Sequence, residues 1–246
     1  MKNCLKVLYF ENLTTVKNKK ILISLATYKE AENLEILINE INNNSNFSKI
    51  LIINDRSKDG TKELIEILNK KNGNIIFIER EKKLGLGTAH KLCLLYAIKF
   101  NYDFLVTMDA DLSHEPSSIP FLLSKATEDN FVIGSRFCDG GKCDYTGLRK
   151  IISVMGNYVA RKLLNIDLFE ITTYFRVYSV KLIKKLPYDE LNAEGYSLGV
   201  KIVWLMKKLN AKLVETPIHF KHRNKGASKI PKLQIFISFF DLLILK

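Results

Sequence analysis

The sequence predicts an α/β protein built on a mostly parallel, doubly wound central sheet with helices on both faces. Short runs of apolar, strand-favouring residues recur through the first half of the chain, at 21–25, 50–53, 75–78 and 104–108. Polar turn residues and then apolar residues at helical spacing follow the first three, the alternation that helical crossovers require. The runs are apolar throughout, as expected of strands covered on both faces.

Ile21–Leu25 is the first strand, and Thr27–Glu32 the polar turn after it. Leu34, Ile36, Leu37, Ile38 and Ile41 follow a helical spacing that Asn42–Asn46 breaks. Ile50–Ile53 is a second strand running into Asn54 and Asp55. Asp59-Gly60-Thr61 reads as a turn and helix start, with Leu64, Ile65, Ile67 and Leu68 following. Ile75–Ile78 is the third strand. Gly85–Thr88 opens a helix that continues through Ile98. Phe104–Met108 is the fourth strand and ends on Asp109. Further on, Phe131–Ser135 reads as a strand, Leu148–Leu164 as a helix, and Phe175–Tyr178 as a short strand. Gly195–Leu209 reads as a helix and Lys212–Phe220 as a final strand. No repeat or linker interrupts the chain, so residues 1–230 are expected to form one domain, with 231–246 as an apolar extension.

Composition narrows the function classes. The 246 residues are 47% hydrophobic and 26% charged, which excludes wholesale disorder, and 12 Gly and five Pro exclude a collagen-like chain. Cys4, Cys93, Cys138 and Cys143 do not form a disulfide framework pattern. The spacings of Cys138/Cys143 and His219/His222 do not match usual zinc motifs, so reduced thiols and a cytoplasmic setting are expected. Residues 1–20 lack a signal-peptide core, and no run of 18 apolar residues is present to span a bilayer. The net charge is +12, and residues 201–246 hold ten Lys/Arg against two Asp/Glu. That bias points to phosphates, an anionic membrane face or nucleic acid. No nucleic-acid recognition motif accompanies it, so nucleic acid is not the expected partner.

Ligands of such sheets sit beyond the carboxyl ends of the strands. The strongest signal there is Asp109-Ala110-Asp111. In an extended chain residues i and i+2 share a face, and two carboxylates suit Mg²⁺, which completes its shell with water and phosphate. The same residues also suit an Asp-rich turn with Asp111 as a helix cap. Asp55 could accept a hydrogen bond from a base, whereas Asp59 and Thr61 read as turn and cap residues. Gly85-Leu86-Gly87-Thr88-Ala89-His90 is half of a dinucleotide motif and follows the wrong strand, so it reads as a tight strand-to-helix turn. Pro217–Lys229 is dense in donors. Arg223 and Lys229 flank Gly226 and, with Arg136 and Arg149, could neutralise a diphosphate. Leu233–Leu245 is long enough to lie in a membrane interface behind a basic stretch, or to dock on the core as a helix.

Several of these pieces, taken in order, carry a resemblance. They are Thr27-Tyr28 with Glu30 and Glu32-Asn33-Leu34; Asp55, Ser57 and Asp59-Gly60-Thr61; and Lys83-Leu84-Gly85-Leu86-Gly87-Thr88-Ala89. After them come Asp109-Ala110-Asp111-Leu112-Ser113-His114 with Pro116, then Gly134-Ser135-Arg136, and finally Pro217-Ile218, Phe220, Arg223, Gly226 and Ser228-Lys229. From about Ile21 to Lys229 the chain resembles the polyprenol-phosphate (dolichol-phosphate) mannosyltransferase branch of the family 2 glycosyltransferases. The resemblance implies a GT-A, Rossmann-like fold and transfer of a mannose- or glucose-type sugar, with inversion, from a nucleotide diphosphate sugar to a polyprenyl phosphate. It implies that Asp109 and Asp111, with Ser113 beside them, hold Mg²⁺ or Mn²⁺. It sets Thr27, Tyr28, Glu30, Asp55, Lys83, Gly85 and Ala110 around the nucleotide. Asp111, Arg136, Arg223 and Lys229 would serve catalysis, the last three as phosphate ligands, at the cytoplasmic face of a membrane.

The sequence departs from the family pattern at definite places. Ala26 stands for the usual Pro, Lys29 for Asn, Asn54 for an acidic residue, and Arg56 for a small one. Tyr174 replaces Gly, while Leu198, Gly199 and Lys201 replace Phe, Gln and Glu. A soluble acceptor and a non-catalytic nucleotide-sugar binder are the alternatives these departures raise.

Overall fold

The computed structural model describes residues 19–45, 48–191 and 195–222. The elements in chain order are β1 (Ile21–Thr27), α1 (Ala31–Asn44), β2 (Lys49–Asn54), α2 (Thr61–Asn72), β3 (Ile75–Glu79), α3 (Leu86–Lys99), β4 (Phe104–Asp109), α4 (Ile119–Ser124), β5 (Asn130–Ser135), β6 (Lys142–Cys143), α5 (Gly147–Leu164), β7 (Arg176–Ser179), α6 (Val180–Ile183), α7 (Gly195–Lys208), β8 (Lys212–Pro217) and β9 (His219–Phe220).

The main sheet has seven strands in the order β3-β2-β1-β4-β7-β5-β8. All pairings are parallel except those of β7, which runs antiparallel to both β4 and β5. Side-chain alternation sorts each strand between two apolar layers. Leu22, Leu51 and Ile53 face the layer that receives α3 and α7. Ile21, Ile23, Leu25, Ile50 and Ile52 face the layer under α1, α2 and α4. Burial of these strands on both sides explains why they read as unbroken apolar runs.

The expected mostly parallel α/β architecture is the observed one. Its boundaries differ in places. Asn42–Asn44 stay helical, and the helix stops at Ser45. The expected final strand over 212–220 is two strands, because the Ile218 N–H closes the ladder to β5 on the Ser135 carbonyl and the next residues pair with Lys142–Cys143 instead. The C-terminal segment 231–246 lies outside the described residues.

Candidate functional site

Register brings three loops to one edge. Thr27 pairs with Asn54 and Ala26 with Asp109, so β1, β2 and β4 end side by side. With strands about 5 Å apart, these ends cover roughly 10 Å. Each is followed closely by an ordinary residue in the left-handed region: Lys29 (φ 58°), Arg56 (φ 52°) and Leu112 (φ 62°). Such conformations cost about 1–2 kcal/mol each and collect where function fixes the backbone. Hydrogen bonds hold these turns. Lys29 N–H donates to Ser57 Oγ at 2.8 Å, and Arg56 Nη1 to the Glu81 carbonyl at 2.7 Å.

A cavity of about 380 Å³ opens beyond β1 and β2, lined by Tyr28, Asp55, Arg56, Lys58, Glu81, Lys82 and Lys83. Its four cations and two carboxylates favour a polyanion. Lys83 Nζ sits 4.4 Å from the Tyr28 ring centre, a cation–π contact. Asp55 is buried at the rim of this space. Its Oδ2 accepts from the N–H groups of Leu84 (3.2 Å) and Gly85 (3.0 Å), and its Oδ1 pairs with Arg80. Arg80 also donates to Thr88 Oγ1 at 2.5 Å and to the Gly85 carbonyl at 3.0 Å. Asp55 thus braces the turn into α3, and Gly85, at φ 88°, supplies the backbone freedom that turn needs.

Of the residues expected around a nucleotide, Tyr28, Asp55 and Lys83 line the cavity; Thr27, Glu30, Gly85 and Ala110 are not among its lining residues. Thr27 ends β1, and its buried Oγ1 has no hydrogen-bond partner among the described residues. Glu30 stands at the head of α1, where it accepts from Asn33 Nδ2 at 2.8 Å. Ala110 is buried between the two aspartates. Asp59 accepts from Thr61 Oγ1 at 2.7 Å and from the Ala31 N–H at 3.1 Å, so it supports the starts of both α1 and α2.

The carboxylate loop follows β4. The strand ends at Asp109 and Leu112 turns left-handed, so the turn, not strand alternation, sets the two carboxylates. Asp109 is partly exposed and Asp111 buried. Asp111 Oδ1 accepts from Ser113 N–H at 3.1 Å and from Ser113 Oγ at 2.5 Å. His114, which sequence reasoning left without a role, locks this loop. Its Nδ1 accepts the Asp109 N–H at 2.9 Å, which assigns the proton to Nε2, 3.2 Å from Thr173 Oγ1. Burial lowers the His114 pKa against the pull of Asp109 and Asp111. The neutral ring therefore forms no ion pair with the Asp109 carboxylate 3.8 Å away.

Arg136, expected on a phosphate, is held by protein groups. Its Nε and Nη2 both lie 2.6 Å from Glu170 Oε2, its Nη1 donates to Tyr145 Oη at 2.5 Å, and its Nη2 to Thr172 Oγ1 at 2.9 Å. Burial alone would raise the pKa of Glu170, but Arg136 and Thr172 leave it lowered and the carboxylate charged. Neither Glu170 nor Tyr145 carries a sequence motif; only the fold brings them together. Arg149 lies over the Tyr145 ring at 4.7 Å. Arg223 and Lys229 lie outside the described residues. Just before them, Lys221 N–H donates to the Ser113 carbonyl at 2.9 Å, and Phe220 bridges to His114.

Two carboxylates with an adjacent hydroxyl are a donor set suited to a hard divalent ion that takes its other ligands from phosphate and water. Among the described residues no group of three or more His, Cys, Asp or Glu is assembled to hold a metal.

Residues 23–187 match the family model described as "Glycosyl transferase family 2". The chain belongs to that family. This family 2 member is 32% identical over 212 residues to an undecaprenyl-phosphate mannosyltransferase of Micrococcus luteus, covering 86% of the chain and 87% of the relative. It is 30% identical over 224 residues to a polyprenol monophosphomannose synthase of Mycolicibacterium smegmatis, covering 89% and 84%. Among solved structures it shares the fold of glucosyl-3-phosphoglycerate synthase from Mycobacterium tuberculosis in complex with UDP, with TM-score 0.67, 17% identity, and coverage of 96% and 83%. A complex of the same synthase with Mn²⁺, UDP and phosphoglyceric acid gives TM-score 0.68 at 18% identity, with coverage of 96% and 82%.

Proposed function

We propose that this protein transfers a mannose- or glucose-type sugar from a nucleotide diphosphate sugar to a polyprenyl monophosphate. The observation that carries the reading is the juxtaposition, on one sheet edge, of the basic Tyr28/Lys83 cavity and the Asp109/Asp111 loop. The named relatives support the choice of acceptor, since both are described as enzymes of polyprenyl-phosphate mannosylation.

Tyr28, Asp55 and Lys83 would hold the nucleoside end of the donor. Asp109 and Asp111, with Ser113 beside them, would hold Mg²⁺ or Mn²⁺, which supplies charge stabilisation to the departing diphosphate. Lys83, Lys58 and Arg56 add positive charge to the same region, an electrostatic contribution. Arg223 and Lys229 are proposed to hold donor and acceptor phosphates. Arg136 serves the site through Glu170, Tyr145 and Thr172, and would reach a phosphate only by giving up one of these bonds. The acceptor phosphate, with a second pKa near about 6, is already anionic at pH 7. Its oxygen attacks the anomeric carbon without a protein base. The bond to the diphosphate breaks with its electrons on the leaving oxygen, and attack from the opposite face inverts the centre. This reading sets the enzyme on the cytoplasmic face of a membrane.

The test is transfer from radiolabelled GDP- and UDP-sugars to a short polyprenyl phosphate in detergent, with and without Mn²⁺. The expected result is metal-dependent label in the organic phase from one donor. Donor hydrolysis or binding with no lipid product would refute the lipid acceptor.

A further inference from the structure

Strand β7 runs antiparallel to β4 and β5, which flank it in the sheet. Its neighbours leave the sheet at the site's edge, towards Asp109 and Arg136, whereas β7 enters the sheet there. The segment that leads into it, residues 170–175, therefore lies between those two parts of the site. Hydrogen bonds stitch this segment to both neighbours. Thr107 Oγ1, two residues before Asp109, donates to the Tyr174 carbonyl at 2.6 Å. The Gly134 N–H, two residues before Arg136, donates to the Phe175 carbonyl at 2.7 Å. Buried Arg176 turns back to donate to the carbonyls of Ile171 (2.9 Å) and Thr173 (2.6 Å).

Within the segment, Thr173 touches both halves of the site. Its Oγ1 lies 3.2 Å from His114 Nε2 and accepts the Phe175 N–H, also at 3.2 Å. His114 in turn holds the Asp109 N–H. On the other side, the Thr173 N–H rests on Glu170 Oε1 at 3.2 Å, and Oε2 of that carboxylate carries Arg136. The path thus runs from Asp109 through His114, Thr173 and Glu170 to Arg136, and its three middle members are buried. A buried polar group left without its partner is costly, so the members of such a chain hold one another in place.

We propose that Thr173 is a positioning residue that sets the Asp109 loop and the Arg136 cluster in register with each other. It acts through His114 and Glu170 rather than on the reacting groups. The proposal rests on the reading of Asp109 and Asp111 as the pair that couples a divalent ion to a nucleoside diphosphate. Metal ligands depend on the groups that orient them, and loss of such a group commonly weakens metal binding about 10- to 100-fold. Strand direction thereby acquires a role at the site, since a parallel β7 would bring a different segment between Asp109 and Arg136.

The test compares wild type with Thr173→Val, which keeps the shape and removes the hydroxyl, and with Thr173→Ser, which keeps the hydroxyl. Proton–nitrogen NMR of the metal-free protein reads the His114 Nε2–H and the Arg136 Nε–H. Titration calorimetry reads how far Mn²⁺ tightens the binding of GDP or UDP. In Thr173→Val both proton signals are expected to move, and the tightening to fall by about tenfold. Thr173→Ser is expected to keep the wild-type signals and the wild-type tightening. Should Thr173→Val fail to fold, Thr173→Ala carries the same readouts. Wild-type tightening in the variant without the hydroxyl would overturn the proposal. So would movement of the His114 signal without that of Arg136, since Thr173 would then serve one half of the site alone. An equal loss in Thr173→Ser would also overturn it, by assigning the effect to packing of the methyl group. Absence of Mn²⁺-dependent tightening in wild type would instead refute the metal reading of Asp109 and Asp111, and the two proton signals would still decide the link through Thr173.

Discussion

Lys29, Arg56 and Leu112 adopt left-handed backbone beside three strand ends, and two of them are positions where the sequence departs from its family. The usual Asn at position 29 tolerates that conformation better than Lys. Lys29→Asn is therefore expected to raise stability by several tenths to about 1 kcal/mol, read from the urea midpoint. A second pair of departures is explained by contact. A Cβ placed on Gly199 would lie 3.0 Å from Tyr174 Cζ and 3.1 Å from its hydroxyl oxygen. The bulk gained at Tyr174 fills space left open at Gly199, so two changes that look unrelated in sequence are one packing solution. Gly199→Ala is expected to destabilise by about 1–3 kcal/mol, with Tyr174→Phe recovering part of the loss in the double variant. Tyr174 also stacks on His90, with ring centres 3.8 Å apart. Burial, reinforced by Arg176, lowers the His90 pKa to about 3. Below about pH 6.5 the unfolded chain takes up a proton that the folded one refuses, so acidification between about 6.5 and 3 removes stability at up to about 1.4 kcal/mol per pH unit. His90→Phe keeps the stack and should flatten that slope in denaturation series at pH 7 and pH 5; an unchanged slope would contradict the assignment.

At the scale of elements, what the sequence made legible follows from local periodicity. The strands β1 to β4 are buried on both faces and separated by helices of ordinary length, so their runs and the polar residues at their ends stand out. Strand direction does not: β7 is four residues long, and its apolar pattern would be the same in either orientation. β6 and β9 have two residues each, too few for any period. The site divides in the same way. Asp55, Asp109, Asp111 and Lys83 sit in contiguous motifs. Glu170 lies 34 residues from Arg136 and His114 lies 59 from Thr173, so their partners are distant in sequence, while Tyr145 meets Arg136 only nine residues away but across a loop that carries no motif. A buried pair of this kind is costly to break on one side. Glu170→Gln, measured by equilibrium unfolding, should lose about 3–5 kcal/mol, with a smaller loss when Arg136→Met is combined with Glu170→Leu.

For the whole molecule, the mostly parallel sheet places a basic cavity and a carboxylate loop on one edge, and the last described residues of the chain pass against that loop. The charge of +12 indicated an anionic partner without saying where it binds. The fold gathers four of the cations, Arg56, Lys58, Lys82 and Lys83, around one cavity. The central claim is that Asp109 and Asp111 couple a divalent ion to a nucleoside diphosphate. Titration calorimetry of GDP and UDP, with and without Mn²⁺, tests it on wild type and on Asp109→Ala and Asp111→Ala. The expected result is that Mn²⁺ tightens one nucleotide at least tenfold in wild type and leaves both variants unchanged, with all three proteins folded. Equal tightening in the variants, or no nucleotide binding by wild type, would contradict the account.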